Sequence, residues 1–197
     1  MSFANFAPPL SSRLARACIL IVDDQQTQLR TLELGLNKAG FTNIKMAKNG
    51  LEAVEITCKI KPDLVILDLS MPQLGGLEYC ECVRGDPSLP RIPIIVQTSS
   101  DEREVKMKAL SSGADDFLQK PIDLTELALR ARIHLERYFM MQNMSDMCGY
   151  LKMECEQIGK IIHRMEKSVT VSDTSKLLNR HQEVLEEISI ISSTGPH

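Results

Sequence analysis

Five side chains of this sequence combine types that together do chemistry: the paired carboxylates Asp23 and Asp24, a third carboxylate at Asp68, the hydroxyl of Thr98 and the ammonium of Lys120. Taken singly, each is weak, since paired aspartates after a strand are usually a solvated turn. Three carboxylates brought close together repel one another unless a cation joins them. Hard divalent ions such as Mg²⁺ take oxygen ligands, keep several waters and often bind through one or two carboxylates plus a phosphate. Convergence of these acids therefore predicts Mg²⁺ held by Asp23, Asp24 and Asp68, with the backbone carbonyl of Ser70 as a further ligand. Once that charge is neutralised, one carboxylate can act as a nucleophile toward phosphorus. Lys120 and the ion would stabilise the phosphoryl oxygens, and Thr98 would add a hydroxyl donor.

That chemistry needs elements that bring the five residues to one place. Short apolar runs at Cys18–Val22, Ile44–Ala47, 63–67, Ile94–Gln97 and Asp116–Gln119 read as strands. Helical spacing fills the intervals: Gln26–Ala39, stopped by Gly40, then Gly50–Lys59, Gly75–Gly85 and Glu102–Ser112, stopped by Gly113. Five strand–helix alternations predict an α/β fold, a doubly wound parallel sheet with helices on both faces. In such sheets ligands bind beyond the carboxyl ends of the strands. Asp23-Asp24, Asp68, Thr98 and Lys120 stand at the ends of the first, third, fourth and fifth predicted strands.

The segments CILIVDDQQ, LVILDLSMPQLGGLE, IIVQTSS and GADDFLQKPID closely resemble the receiver domains of bacterial response regulators. The resemblance covers about residues 18–135. It implies the strand order 2-1-3-4-5 and a cis Lys120–Pro121 bond. It also implies that Asp68 is the phosphoacceptor, Asp23 and Asp24 the metal-binding acids, and Thr98 and Lys120 the phosphate contacts. Phe117 falls at the family's aromatic switch position, with Thr98 as its companion, and Ser70 at a position that tunes phosphate lifetime. The partner so implied is a sensor histidine kinase or a phosphotransfer protein.

Composition bounds the rest. The 197 residues suit one domain plus a smaller element, and 43% hydrophobic content is that of a globular chain. A net charge of −3 gives no reason to expect DNA or an acidic membrane as partner. No apolar run reaches the roughly 18–20 residues of a membrane span, and no secretory h-region opens the chain, which predicts a cytoplasmic protein. The scattered cysteines (Cys18, Cys58, Cys80, Cys82, Cys148, Cys155) read as free thiols, because no second Cys/His pair sits at zinc-like spacing.

Residues 1–17 read as a flexible N-terminal arm, 18–135 as the receiver and 136–197 as a helical extension. In the extension Met141, Met144, Cys148, Leu151, Cys155, Ile158, Ile162, Met165 and Val169 alternate by three and four, a heptad seam weakened at Gly149 and Gly159. After a break at Ser168–Ser172, a second helix over about Asp173–Ile191 carries Leu177, His181, Val184, Ile188 and Ile191 at the same spacing. Two such helices must pair with each other, a second copy or another protein, and homodimerisation is the simplest expectation. From Glu136 onward seven Lys/Arg face nine Asp/Glu (7 − 9 = −2), too acidic for a nucleic-acid module. His163 reads as a surface histidine.

The function so expected is a phosphoryl-accepting signalling protein and not an enzyme. The alternative is the N-terminal receiver and stalk of an enzymatic regulator, since Ala131–Glu136 resembles the junction to diguanylate cyclase, cyclic-dinucleotide phosphodiesterase or PP2C-type phosphatase domains. No motif of the first two classes lies within these residues.

Overall fold

The computed structural model describes residues 11–99, 103–168 and 174–193. Strands β1 (Cys18–Val22), β2 (Asn43–Ala47), β3 (Leu64–Asp68), β4 (Ile94–Thr98) and β5 (Asp116–Gln119) form one sheet. Helices α2 (Gln26–Lys38), α3 (Gly50–Ile60), α4 (Gly76–Gly85) and α5 (Arg103–Ser111) connect them in turn. α1 (Ser12–Ala15) precedes the sheet, and α6 (Leu124–Ser168) and α7 (Thr174–Ser193) follow it. All pairings are parallel and the order is β2-β1-β3-β4-β5, as the resemblance implied. The winding reverses between β1 and β3, so the switch point lies between the strands that carry Asp23 and Asp68.

β3 and β4 are buried along their whole length and β1 nearly so, because helices cover both faces of the sheet. On one face Leu20, Val22, Val65, Leu67, Ile94 and Val96 pack with Ala53 of α3, Tyr79, Cys80 and Val83 of α4 and Ala109 of α5. Strand alternation turns Ile19, Ile21, Ile66 and Ile95 to the other face. There Leu29, Leu32 and Leu36 of α2 and Leu127, Ala131 and Leu135 of α6 are likewise buried. α2 and α6 approach so closely that a Cβ at Gly35 would lie 2.8 Å from the Leu124 side chain.

Helix ends follow local chemistry. Asn49 caps α3 by accepting from the Glu52 N–H at 2.8 Å, while the Glu52 carboxylate accepts from the Lys48 N–H, a reciprocal capping arrangement. Gly40, at φ 98°, ends the α2 segment as expected. Most element ends fall within a residue or two of the sequence reading. β3 runs Leu64–Asp68 rather than 63–67; Asp63 just before it donates its N–H to Cys18 O and accepts the Cys18 N–H on its carboxylate, both at 2.8 Å. Of the expected flexible arm, residues 11–17 are ordered: Ser11 caps α1, Leu14 and Ala17 are buried, and Ala15 O accepts from both Thr42 N–H and Thr42 Oγ. Residues 1–10 lie outside the described residues.

The chain divides into two compact units, Met1–Tyr138 and Phe139–His197. The boundary falls inside α6, a single helix of 45 residues. In the second unit α6 and α7 pack together where Gly159 meets the His181 ring; a Cβ at 159 would collide with it. Gly159, read from sequence as a weakness, is thus a close-approach site. Val169, most of the expected break and Asp173 lie outside the described residues, as does the Ile191 side chain.

Tyr79 is fully buried, and its hydroxyl pairs with Thr57 Oγ at 2.7 Å beneath α3 and α4. Tyr79→Phe leaves the Thr57 hydroxyl without that partner and is expected to cost about 1–2 kcal/mol. Urea unfolding of the two proteins measures the difference.

Candidate functional site

The carboxyl edge of the sheet is built by strand ends that have nowhere else to place their first polar residue. β1 delivers Asp23, fully buried, and then Asp24, exposed. Asp23 is held by its own N–H donating to Ala47 O and by its Oδ1 accepting the Gln25 N–H at 2.9 Å. β3 delivers Asp68, also buried, whose Oδ1 accepts the Ser70 N–H at 3.3 Å. β4 ends in the buried Thr98, whose carbonyl accepts the Lys120 N–H at 2.8 Å. The Lys120–Pro121 peptide is cis, as the resemblance implied.

Carboxylate oxygens of Asp23, Asp24 and Asp68 lie within 4.8 Å of one another. Lys120 Nζ reaches into the same place, 2.8 Å from Asp68 Oδ2 and 3.2 Å from Asp23 Oδ2. Burial pushes the Asp68 carboxyl above its ordinary pKa, although the hydrogen bond and charge of Lys120 pull the other way. Burial alone would lower the Lys120 ammonium. The hydrogen bond to Asp68 and the charges of Asp68 and Asp23 outweigh it, and the ammonium sits above its usual value. One firmly held positive charge therefore serves two buried carboxylates, and a third stands beside them. That donor set, all oxygen and short of positive charge, fits a hard divalent cation.

The loop after Asp68 is constrained from below. A Cβ on Gly76 would lie 2.6 Å from Asp68 O, and one on Gly50 would collide with Leu74 O. Gln73 takes a left-handed conformation at φ 71°, a position where glycine is the easier residue. Phe117 is half-buried and packs against the apolar core on the α3–α5 side of the sheet.

The structure thus brings Asp23, Asp24, Asp68 and Lys120 into one cluster, with Ser70 and Thr98 bonded at its margin. Phe117 lies apart from it, three residues before Lys120. Sequence reading missed a second cluster at the opposite end of β5. Asp116 accepts two contacts from Arg130 Nη1, at 2.8 and 2.7 Å, and approaches His134 Nε2 at 3.0 Å. Its own Oδ1 also accepts the Phe117 N–H at 2.8 Å. Arg130 and His134 are one helical turn apart on α6, and Glu126 steadies Arg130 from the preceding turn. The signal that could have found it is this i, i+4 pair of basic side chains on the helix that follows the last strand.

Burial would raise the Asp116 carboxyl, but hydrogen bonds from His134 and Arg130 win and hold it at about 2. Because the folded value is depressed, the stabilisation is present above the ordinary carboxylate pKa. It is lost as pH falls from about 4 through 2. The thermal midpoint of the native chain is expected to fall more steeply over that window than that of Asp116→Asn, as followed by circular dichroism.

Comparison with known proteins gives this geometry its context. Residues 19–132 match the response regulator receiver domain family. The response regulator MprA of Mycobacterium ulcerans is 40% identical over 121 residues, covering 60% of this chain and 50% of that one. The chain spans about half the length of the curated relatives it matches. Among solved structures, a two-component response regulator from Clostridium difficile aligns at 30% identity with a TM-score of 0.57, covering 62% of this chain and 98% of that one. The Vibrio cholerae chemotaxis protein CheY4 aligns at 30% identity and a TM-score of 0.55, over 60% of this chain and 98% of that one. With the sheet order and the acidic edge in agreement, this chain belongs to the response regulator receiver domain family.

Proposed function

We propose that this protein is a phosphoryl-accepting switch of a two-component system, with Asp68 as the acceptor and Mg²⁺ as the ion that the acidic cluster holds. The observation that carries the reading is the cluster itself: two buried carboxylates share a single ammonium, and an exposed third carboxylate stands beside them. Asp23, Asp24 and Asp68, with the Ser70 carbonyl, would hold the ion. When bound, it supplies the positive charge that lets an anionic phosphoryl group approach an anionic carboxylate.

The chain's own groups do the remainder. An Asp68 oxygen attacks the phosphorus of a phosphohistidine on a sensor kinase or phosphotransfer protein. The P–N bond breaks, and its electron pair leaves with the imidazole. Lys120, already within hydrogen-bond reach of Asp68, receives one phosphoryl oxygen, and Thr98 offers its hydroxyl to another. Movement of Thr98 and Lys120 toward the new group pulls on β4 and β5, and Phe117 and α6 follow. The signal leaves through the helical region after residue 135, by contact with protein.

Incubation with acetyl phosphate and Mg²⁺ is expected to add one phosphoryl group to the native chain, seen by intact mass, and none to Asp68→Asn. Mg²⁺ alone should raise the thermal midpoint of the native chain and leave that of Asp23→Asn/Asp24→Asn unmoved. Equal phosphoryl uptake by Asp68→Asn would overturn the assignment of the acceptor.

A further inference from the structure

The heptad pattern of the second unit divides, in space, into two rows with different fates. Cys148, Cys155 and Ile162, at one heptad position, are half-buried, as are Leu178, His181, Leu185 and Ile188 of α7. Gly159 and His181 mark where the two helices meet, so this row belongs to the contact with α7. The companion row, Met144, Leu151, Ile158 and Met165, repeats every seven residues and remains 60, 44, 49 and 55% exposed. Met147 and Ile161 widen it on one side, at 62 and 55%.

A row of strict seven-residue period is matched by a helix of the same period running beside it for its full length. From residue 144 to 165 that length is about 32 Å at 1.5 Å per residue. This chain supplies such helices itself, and α7 already covers the adjacent row. The open row is thus continuous with a formed helix–helix seam. No charged residue interrupts it at its own heptad position. Six half-exposed side chains carry on the order of 500 Å² per copy, so two copies with their flanking groups bury about 1,200 Å². That is the lower end of the range for stable interfaces.

We propose that the occupant of this row is the same row of a second copy, so that two α6–α7 hairpins close a four-helix bundle. The proposal rests on the reading of the helical region as the output. It makes that output an association between identical chains.

Sedimentation of the full chain, with and without phosphorylation by acetyl phosphate, tests it. A dimer is expected in at least one state. Leu151→Glu/Ile158→Glu should weaken association about thirtyfold or more. Met153→Glu, exposed on a different face of α6, should leave it unchanged. Both replaced residues are already solvent-accessible, so helix content by circular dichroism should be preserved. Met144→Glu/Met165→Glu at the ends of the row provides a second variant with the same expected result. A dimer that survives both double variants overturns this face while leaving the output reading intact. A chain monomeric in both states overturns the second copy as occupant, even where Asp68 takes up phosphoryl normally. A chain that takes up no phosphoryl group fails the earlier reading instead.

Discussion

Two buried carboxylates at one edge of a parallel sheet are the constraint to which the rest of the first unit answers. Desolvating a carboxylate is unfavourable, and placing a second beside it adds repulsion. Lys120 resolves both by lying between Asp23 and Asp68. Its position depends on β5 pairing with β4 in register, on the Thr98 carbonyl that accepts its N–H, and on the turn at Pro121. Close packing at Gly76 and Gly50 then keeps the loop after Asp68 pressed against the strand that carries it. The two acids meet at the crevice that the reversal between β1 and β3 opens at the carboxyl ends of those strands.

β5 is short, and both of its ends are tied to charge. At about 3.3 Å per residue its four residues span roughly 13 Å. Lys120, just past one end, is bonded to the acidic cluster. Asp116, at the other, is bonded to Arg130 and His134 of α6, which continues unbroken to Ser168. Phe117 is covalently next to that anchor, and its N–H donates to the same carboxylate. Lys120 and the side chains that fix α6 to the sheet are thus joined by one short strand. Packed elements of this kind respond by changing between discrete arrangements rather than by stretching.

Much of this was legible in the sequence. The strands of the sheet are short apolar runs with polar residues at their carboxyl ends, so Asp23, Asp24, Asp68, Thr98 and Lys120 could be placed on one edge by counting. The Asp116 anchor was not legible in that way. Its partners are on a helix whose rotation against β5 is set by the packing of Leu127, Ala131 and Leu135, which the pattern shows only as a core face. Residues 11–17 were read as loose because the arm before them is rich in proline and polar residues, yet Leu14 and Ala17 are buried and Thr42 ties down Ala15. In the second unit the sequence shows a seven-residue period, but a period does not reveal which row meets which neighbour. Gly159 decided that, because without a side chain it admits the His181 ring and turns one row toward α7.

The two units store different kinds of energy. At the sheet edge the balance is electrostatic and local. A phosphoryl group on Asp68, as proposed, would bring about −1.5 to −2 charges to a place where one ammonium already serves two carboxylates, so its first effect would fall on Lys120 and any bound cation. In the hairpin the balance is apolar. A row of methionine, leucine and isoleucine stands half in water on a helix whose glycines at 149 and 159 make it no strong helix former alone. Burial of that row is worth on the order of 25 cal/mol per Å², a few kcal/mol for a handful of side chains after ordering costs. A population shift from mostly one state to mostly the other needs about 5 kcal/mol of differential binding.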